Sequence, residues 1–184
     1  MPLILALLIQ HEKRFTPMLR RWFSVRTLLT VLAASLILMV SCLPAQAAGV
    51  DAYVSRYLKA TEPVPLEVDD QGNTRLFSPE DLSAGKRLFT QSCLNCHVGG
   101  VTLPDPTVSL SLSDLKGATP PRDHINALVA YFRQPMTYDG SEPTFWCREV
   151  PESWMPQEQV ENLAAFVLRA AQKAPGWGTE TFGL

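Results

Sequence analysis

The run Cys93-Leu94-Asn95-Cys96-His97 constrains this 184-residue chain more than any other feature of it. Two thiols three positions apart, at the end of a helix, present both sulfurs in one direction. The adjacent histidine reaches under whatever they hold. This geometry matches the two vinyl-derived carbons on one edge of a haem, with the imidazole at the iron, and C-x-x-C-H is accordingly a c-type haem attachment string. Three rivals share the spacing: a structural disulfide, a thioredoxin-like redox pair and half of a zinc site. A redox pair is expected beside a βαβ pattern, which the sequence lacks, and zinc needs a further ligand, which Cys147 would have to supply.

The flanking pattern is helical. Val50 to Leu58 reads as a short helix, and Val64 to Val68 with Thr74 to Phe77 flank the turn-rich Asp69-Asp70-Gln71-Gly72-Asn73 as a β-hairpin. Ser78-Pro79-Glu80-Asp81 has the marks of a helix start: an N-cap serine, proline at the first helical position, then acids. That helix carries Leu82, Gly85, Leu88 and Phe89 on one stripe and stops near Cys93. Ser109 to Leu115 predicts a short helix closed by Gly117. Pro120-Pro121-Arg122-Asp123 is expected to open another, with Ile125, Leu128, Val129 and Phe132 on one face and its end before Pro135. A loop from Gln134 to Pro156 precedes a last helix, Gln157 to Lys173, with Val160, Leu163, Ala164, Val167 and Leu168 inward. The outcome is an all-α domain with long loops and few strands, whose small core needs something extra at its centre.

The first 47 residues read as a secretory signal: a basic stretch ending at Arg26, an apolar run from about Leu28 to Leu43, and the cleavage site Ala45-Gln46-Ala47. The apolar run is short for a membrane span, which needs ~20 residues. Arg20-Arg21-Trp22-Phe23 imitates a twin-arginine signal, but c-type haem is attached after the chain has crossed the membrane, so export unfolded is the expected route. Cys42 as a lipid-anchor cysteine is the other rival, poorly flanked by Met39-Val40-Ser41. Loss of the leader removes Lys13, Arg14, Arg20, Arg21, Arg26 and Glu12. The 16 basic and 18 acidic residues then become 11 and 17, a net charge of −6. Such a surface disfavours nucleic acid and anionic membrane as partners and suits docking onto a basic surface, or simply solubility.

With Cys93 and Cys96 used, the exported chain keeps one odd cysteine, Cys147. An unpaired thiol in an oxidising compartment is buried and inert, dimerises the protein, or binds the iron. Met155, Met136 and His124 are the other candidates for a sixth iron position. His124 falls in the first turns of an amphipathic helix, where a partly exposed surface histidine is expected, and Met136 follows Pro135 where it equally fills core.

From Val50 onward the sequence resembles the cytochrome c-550 (PsbV) family of photosystem II, found in cyanobacteria and some algae. The resemblance is carried by Ser83-Ala84-Gly85-Lys86-Arg87-Leu88-Phe89, Cys96-His97-Val98-Gly99-Gly100-Val101-Thr102 and Leu110-Ser111-Leu112-Ser113-Asp114-Leu115. It continues through Pro120-Pro121-Arg122-Asp123, Ala127-Leu128-Val129, Pro135, Tyr138-Asp139-Gly140 and Trp177-Gly178. It implies a class I cytochrome c fold over 78–184, an N-terminal extension with the hairpin over 48–77, and one covalent haem c on Cys93 and Cys96 with His97 as proximal iron ligand. It also implies the usual helix crossing, Gly85 and Phe89 against Phe166. The implied function is one-electron transfer, not enzymatic catalysis, in the cyanobacterial thylakoid lumen. The partners it suggests are a redox protein and the lumenal subunits of photosystem II, with membrane association only peripheral. A structural extrinsic subunit of the photosystem and a haem-based sensor or redox enzyme are the alternatives.

The departure from that family is as informative. Its members carry a histidine as second axial ligand after the Tyr-Asp-Gly segment, whereas this chain has none after His124. Cys147 falls within about one position of where that histidine would align. The resemblance thus implies a divergent relative with a changed sixth ligand, Cys147 favoured and Met155 the alternative. Met155 precedes the final helix, where many class I cytochromes c place a methionine. Phe145 and Trp146 are expected to shield the Cys147 sulfur or to lie in the core.

Overall fold

The computed structural model describes residues 25–41, 49–103 and 108–179. The cleavage site, Cys42 and the paired arginines lie outside them. The chain divides into two units, Met1–Ala47 and Ala48–Leu184. The first contains helix α1, Val25–Ser41. No helix among the described residues is long and apolar enough to cross a membrane.

The second unit begins with α2 (Ala52–Arg56), whose N-cap Asp51 accepts from the Tyr53 amide. Strands β1 (Val64–Glu67) and β2 (Thr74–Phe77) pair antiparallel with Val64 opposite Phe77 and Leu66 opposite Arg75. Asp69 closes their turn by accepting from the amides of Gln71 and Asn73, and Gly72 supplies the positive φ of 79°. Val64, Leu66 and Phe77 point into the core.

Helix α3 (Pro79–Ser92) starts as its sequence dictates. Ser78 Oγ accepts from the Asp81 amide at 3.1 Å while Asp81 Oδ2 accepts from the Ser78 amide at 2.9 Å, a reciprocal capping box. The helix ends at Cys93, whose amide bonds Phe89 O at 2.8 Å. It crosses α6 (Gln157–Lys173) at Gly85, where a Cβ would overlap the Asn162 carbonyl oxygen and lie 2.9 Å from Phe166 Cβ. Phe89, Phe166 and Trp177 form one aromatic cluster with centroids 5.3–5.9 Å apart. The expected crossing of Gly85 and Phe89 with Phe166 is therefore present. Nearly every side of α6 is buried, including Val160, Leu163, Ala164, Val167 and Leu168, which makes it the centre of the domain.

Between these lie α4 (Leu112–Gly117) and α5 (Ile125–Arg133). Both begin later than the sequence suggests. Ser111 is the N-cap of α4, while Ser109 gives its amide and hydroxyl to Asp114 Oδ2; Gly117 is the last residue of the helix and not its stop. The segment Pro120-Pro121-Arg122-Asp123 is not helical. A residue before proline is pushed out of the α region, and the Arg122 amide is spent on Leu115 O at 2.8 Å. His124, expected partly exposed in the first turns of the helix, is partly exposed but stands one step outside it, as the N-cap of α5. Its ring Nδ1 lies 3.2 Å from the Ala127 amide and 3.2 Å from Val68 O of the hairpin.

Candidate haem site

The site grows from the end of α3. Beyond Cys93 the chain turns tightly: the amides of Cys96 and His97 both bond Cys93 O, at 3.1 and 3.0 Å. A short 3-10 turn, Val98–Gly100, follows. Gly100 has φ +83° and packs so close to the Trp177 indole that an added Cβ would stand 2.7 Å from its ring atoms. Trp177 Nε1 donates to Leu110 O at 2.9 Å, and the Gly178 amide to Gly99 O at 2.8 Å. The C-terminal Trp-Gly segment thus clamps the backbone that follows the histidine, and it belongs to the site although its sequence carries no chemistry of its own.

Cys93, Cys96 and Cys147 are all unpaired. They lie close enough to feel one another's charge: Cys147 and Cys96 act on Cys93, and Cys96 acts on Cys147. Burial, aided by those two neighbours, pushes the Cys93 thiol up to about 12. Burial also raises the Cys147 thiol, opposed by a hydrogen bond from Tyr131 and by the charge of Arg122. Burial lowers His97, against a hydrogen bond to the Val101 backbone, so its ring is held neutral, the form that ligates a metal. The Nδ1 of His97 lies 3.3 Å from Thr102 Oγ1.

The remaining candidates sit elsewhere. Met155 is 2% exposed, inside the hydrophobic core that Cys93 also packs against. Met136 bridges to Pro143 at the base of a small turn, with its carbonyl bonded by Arg122. His124 is committed to capping α5, its Nδ1 accepting from the Ala127 amide beside Val68 of the hairpin. Phe145 and Trp146 neither join the core nor cover Cys147: they are 99% and 89% exposed. The loop between α5 and α6 that carries them is held by Thr144 N to Pro135 O and by Arg133 Nη1 to Val150 O.

These residues fit a haem. Two unpaired thiols stand on one tight turn at a helix end, an imidazole follows, and a third thiol lies near enough for its charge to be felt at Cys93. Leu94, Val98 and Leu103 remain exposed around the motif, an apolar surround for a macrocycle. The zinc alternative lacks a ligand set, since no three His, Cys, Asp or Glu side chains among the described residues gather to hold a metal ion.

An α3–α6 crossing at a glycine, with C-x-x-C-H at the end of α3, defines a class I c-type cytochrome fold. Within that class the chain belongs to the cytochrome c-550 family, whose domain description matches residues 55–183. It is 55% identical to the cytochrome c-550-like protein of Trichodesmium erythraeum over 89% of this chain and 98% of that one. It is 56% identical to photosystem II extrinsic protein V of Gloeobacter violaceus over 70% of this chain and 69% of that one. Among solved structures it is similar to the PsbV2 cytochrome of Thermosynechococcus elongatus, with 62% identity and a TM-score of 0.70, covering 71% of this chain and all of that one.

Proposed function

We propose that the chain is a monohaem c-type cytochrome that carries one electron at a time in the thylakoid lumen, docking peripherally on the lumenal side of photosystem II. The observation that carries this is the Cys93-x-x-Cys96-His97 turn at the end of α3, closed on Cys93 O and clamped by Trp177, with the charge of Cys147 felt at Cys93. Cys93 and Cys96 would hold the group by thioether bonds, His97 would be the proximal iron ligand and Cys147 the sixth. Haem c supplies a one-electron ferric/ferrous couple whose potential follows its axial donors. The chain's own part is to hold the imidazole neutral through burial, to clamp the turn against Trp177, and to bring a third sulfur toward the site, which would lose its proton on binding the iron. A thiolate donor favours ferric iron, so a low potential is expected, whereas methionine ligation by Met155 would raise it. Cys147 is favoured because its charge is felt at Cys93 and it feels that of Cys96, while Met155 is packed in the core.

The leader, removed after Ala47, accounts for export, and the relatives named as photosystem II extrinsic proteins support the docking partner. Those same names favour the second reading, a structural subunit of the photosystem's lumenal face. Three measurements test the proposal. Haem should stay with the wild-type chain on denaturing electrophoresis and be lost from a Cys93→Ala, Cys96→Ala double variant. Cys147→Ser should change the ferric low-spin EPR signal, and Met155→Ala should not; the reverse pattern would make methionine the ligand. Reversible one-electron titration distinguishes a carrier from a subunit that is redox-silent in its complex.

A further inference from the structure

The loop between α5 and α6 is fixed at separate points along its length. Its first part closes on itself: Thr137 N donates to Glu142 O at 2.8 Å, Met136 pairs with Pro143, and Thr144 N donates to Pro135 O at 3.0 Å. The next fixed point is Val150, whose side chain is buried in the core. Both backbone polar groups of Val150 are spent on the end of α5. Its amide donates to Phe132 O at 2.8 Å, and its carbonyl accepts from Arg133 Nη1 at 2.7 Å. Phe145 to Glu149 therefore make a span between two anchors, with Cys147 at its middle. The hydrogen bonds inside the span are long, Trp146 N to Thr144 Oγ1 at 3.3 Å and Cys147 Sγ to Arg148 O at 3.9 Å, so its course is set mainly from its ends.

Arg133 is the last residue of α5. A basic side chain there ordinarily faces the free carbonyls of its own helix, but this one reaches 17 residues ahead to Val150. Its other terminal nitrogen, Nη2, is buried and has no hydrogen-bond partner among the described residues. A buried donor left unsatisfied costs stability, which offsets what the Val150 bond contributes.

We propose that Arg133 is a positioning residue for the sixth iron ligand: by holding the Val150 carbonyl it fixes the downstream end of the span that carries Cys147, and so limits how readily the sulfur leaves the iron. This rests on the reading of Cys147 as the sixth ligand. A ligand on such a span competes with external donors, whose apparent affinity rises as the fraction of molecules with the span in place falls. Hydrogen bonds from a charged donor are among the stronger ones, so the loss of this one should change that fraction by about an order of magnitude.

The test is an imidazole titration of the haem-loaded ferric protein, followed by the Soret band and the low-spin EPR signal. Arg133→Met keeps the stem and removes the donor. It should bind imidazole roughly tenfold more tightly than wild type. Far-UV circular dichroism should be unchanged and Tm close to wild type, because the unsatisfied nitrogen is removed along with the bonded one. Arg133→Lys, which keeps a charged donor, should fall between the two. Arg133→Gln serves if the methionine variant does not fold, and should bind imidazole more tightly than Arg133→Lys. Wild-type imidazole affinity and g-values in Arg133→Met, or in Arg133→Gln in its place, would refute the role of Arg133. Cys147→Ser separates this role from the ligand reading. It should bind imidazole more tightly still, and Arg133→Met should add nothing in its background; an effect that persists there in full acts on the pocket and not on the ligand, and also refutes the proposal. If Cys147→Ser keeps the wild-type spectrum and imidazole affinity, the ligand reading falls and the role of Arg133 with it.

Discussion

Gly85→Ala tests the packing on which the whole site stands. In an open helix the change is favourable by ~1 kcal/mol, since glycine is the poorer helix former. At the α3–α6 crossing the added methyl would overlap the Asn162 carbonyl oxygen and lie 2.6 Å from its carbon. Ordinary contact begins at 3.4 Å, so the two helices must part by about 0.8 Å even to clear the carbon. A gap of 0.5–1 Å forfeits about a quarter to a half of each dispersion contact across it, and Phe89, Phe166 and Trp177 are among the groups that lose them. Overpacking typically costs about 1–3 kcal/mol. Because the obstacle is backbone and not a flexible side chain, the upper end applies, and about 2 kcal/mol of destabilisation remains after the propensity gain. For a domain of this size that is a fall in Tm of roughly 6–10 °C. Thermal unfolding of the haem-loaded protein, followed by far-UV circular dichroism, measures it. Gly49→Ala, which meets nothing within 4 Å, is the control and should leave Tm within about 1 °C. A Gly85→Ala protein as stable as wild type, or more so, would refute the crossing described here.

The capping box and the acidic turn give two further predictions. Ser78→Ala should cost about 1 kcal/mol of stability, and the Ser78→Ala, Asp81→Ala double variant should cost less than the sum, since each side chain serves the other's backbone. Hydrogen bonds from Thr137 and Ser141 hold the Asp139 carboxyl down to about 2, from an ordinary 3.8. A depressed folded value means that its stabilisation of the turn is whole above 3.8 and is lost as pH falls from there toward 2. An NMR titration of the carboxyl carbon should show this, and a Thr137→Val, Ser141→Ala variant should titrate closer to 3.8.

What the sequence disclosed, it disclosed where the cause is local. Ser78-Pro79 and Asp81 lie within one turn of the helix they start, and Asp69 and Gly72 lie within the hairpin turn they shape. The misplaced starts of α4 and α5 have distant causes. Arg122 looks like a first-turn residue by its neighbours, but its amide is taken by Leu115 and its guanidinium by carbonyls 14 and 15 residues onward. His124 resembles a surface histidine until the hairpin is brought to it. The nearness of Cys147 to Cys93, across a loop of irregular structure, has no periodicity by which to be read. Gly100 and Trp177 were visible only as residues in a resemblance; their contact is a product of the fold.

The same division shows how the proposed change of iron donor is compatible with an unchanged fold. Every group that fixes His97 belongs to the frame: α3, the turn after it, α6 and the Trp177 clamp. Cys147 belongs to the loop between α5 and α6, and Val150 and Met155 tie that loop to the core only at its far end. Replacing a histidine by a cysteine in such a loop disturbs none of the contacts at the Gly85 crossing. What a shorter, softer donor does require is a loop held close enough to deliver it, and Arg122, outside both the loop and the crossing, holds its first residues through Met136 O and Thr137 O. Arg122→Lys should therefore disturb the loop that carries Cys147 more than the crossing, whereas Gly85→Ala should do the opposite, lowering Tm while the ferric spectrum of the folded protein stays as it was.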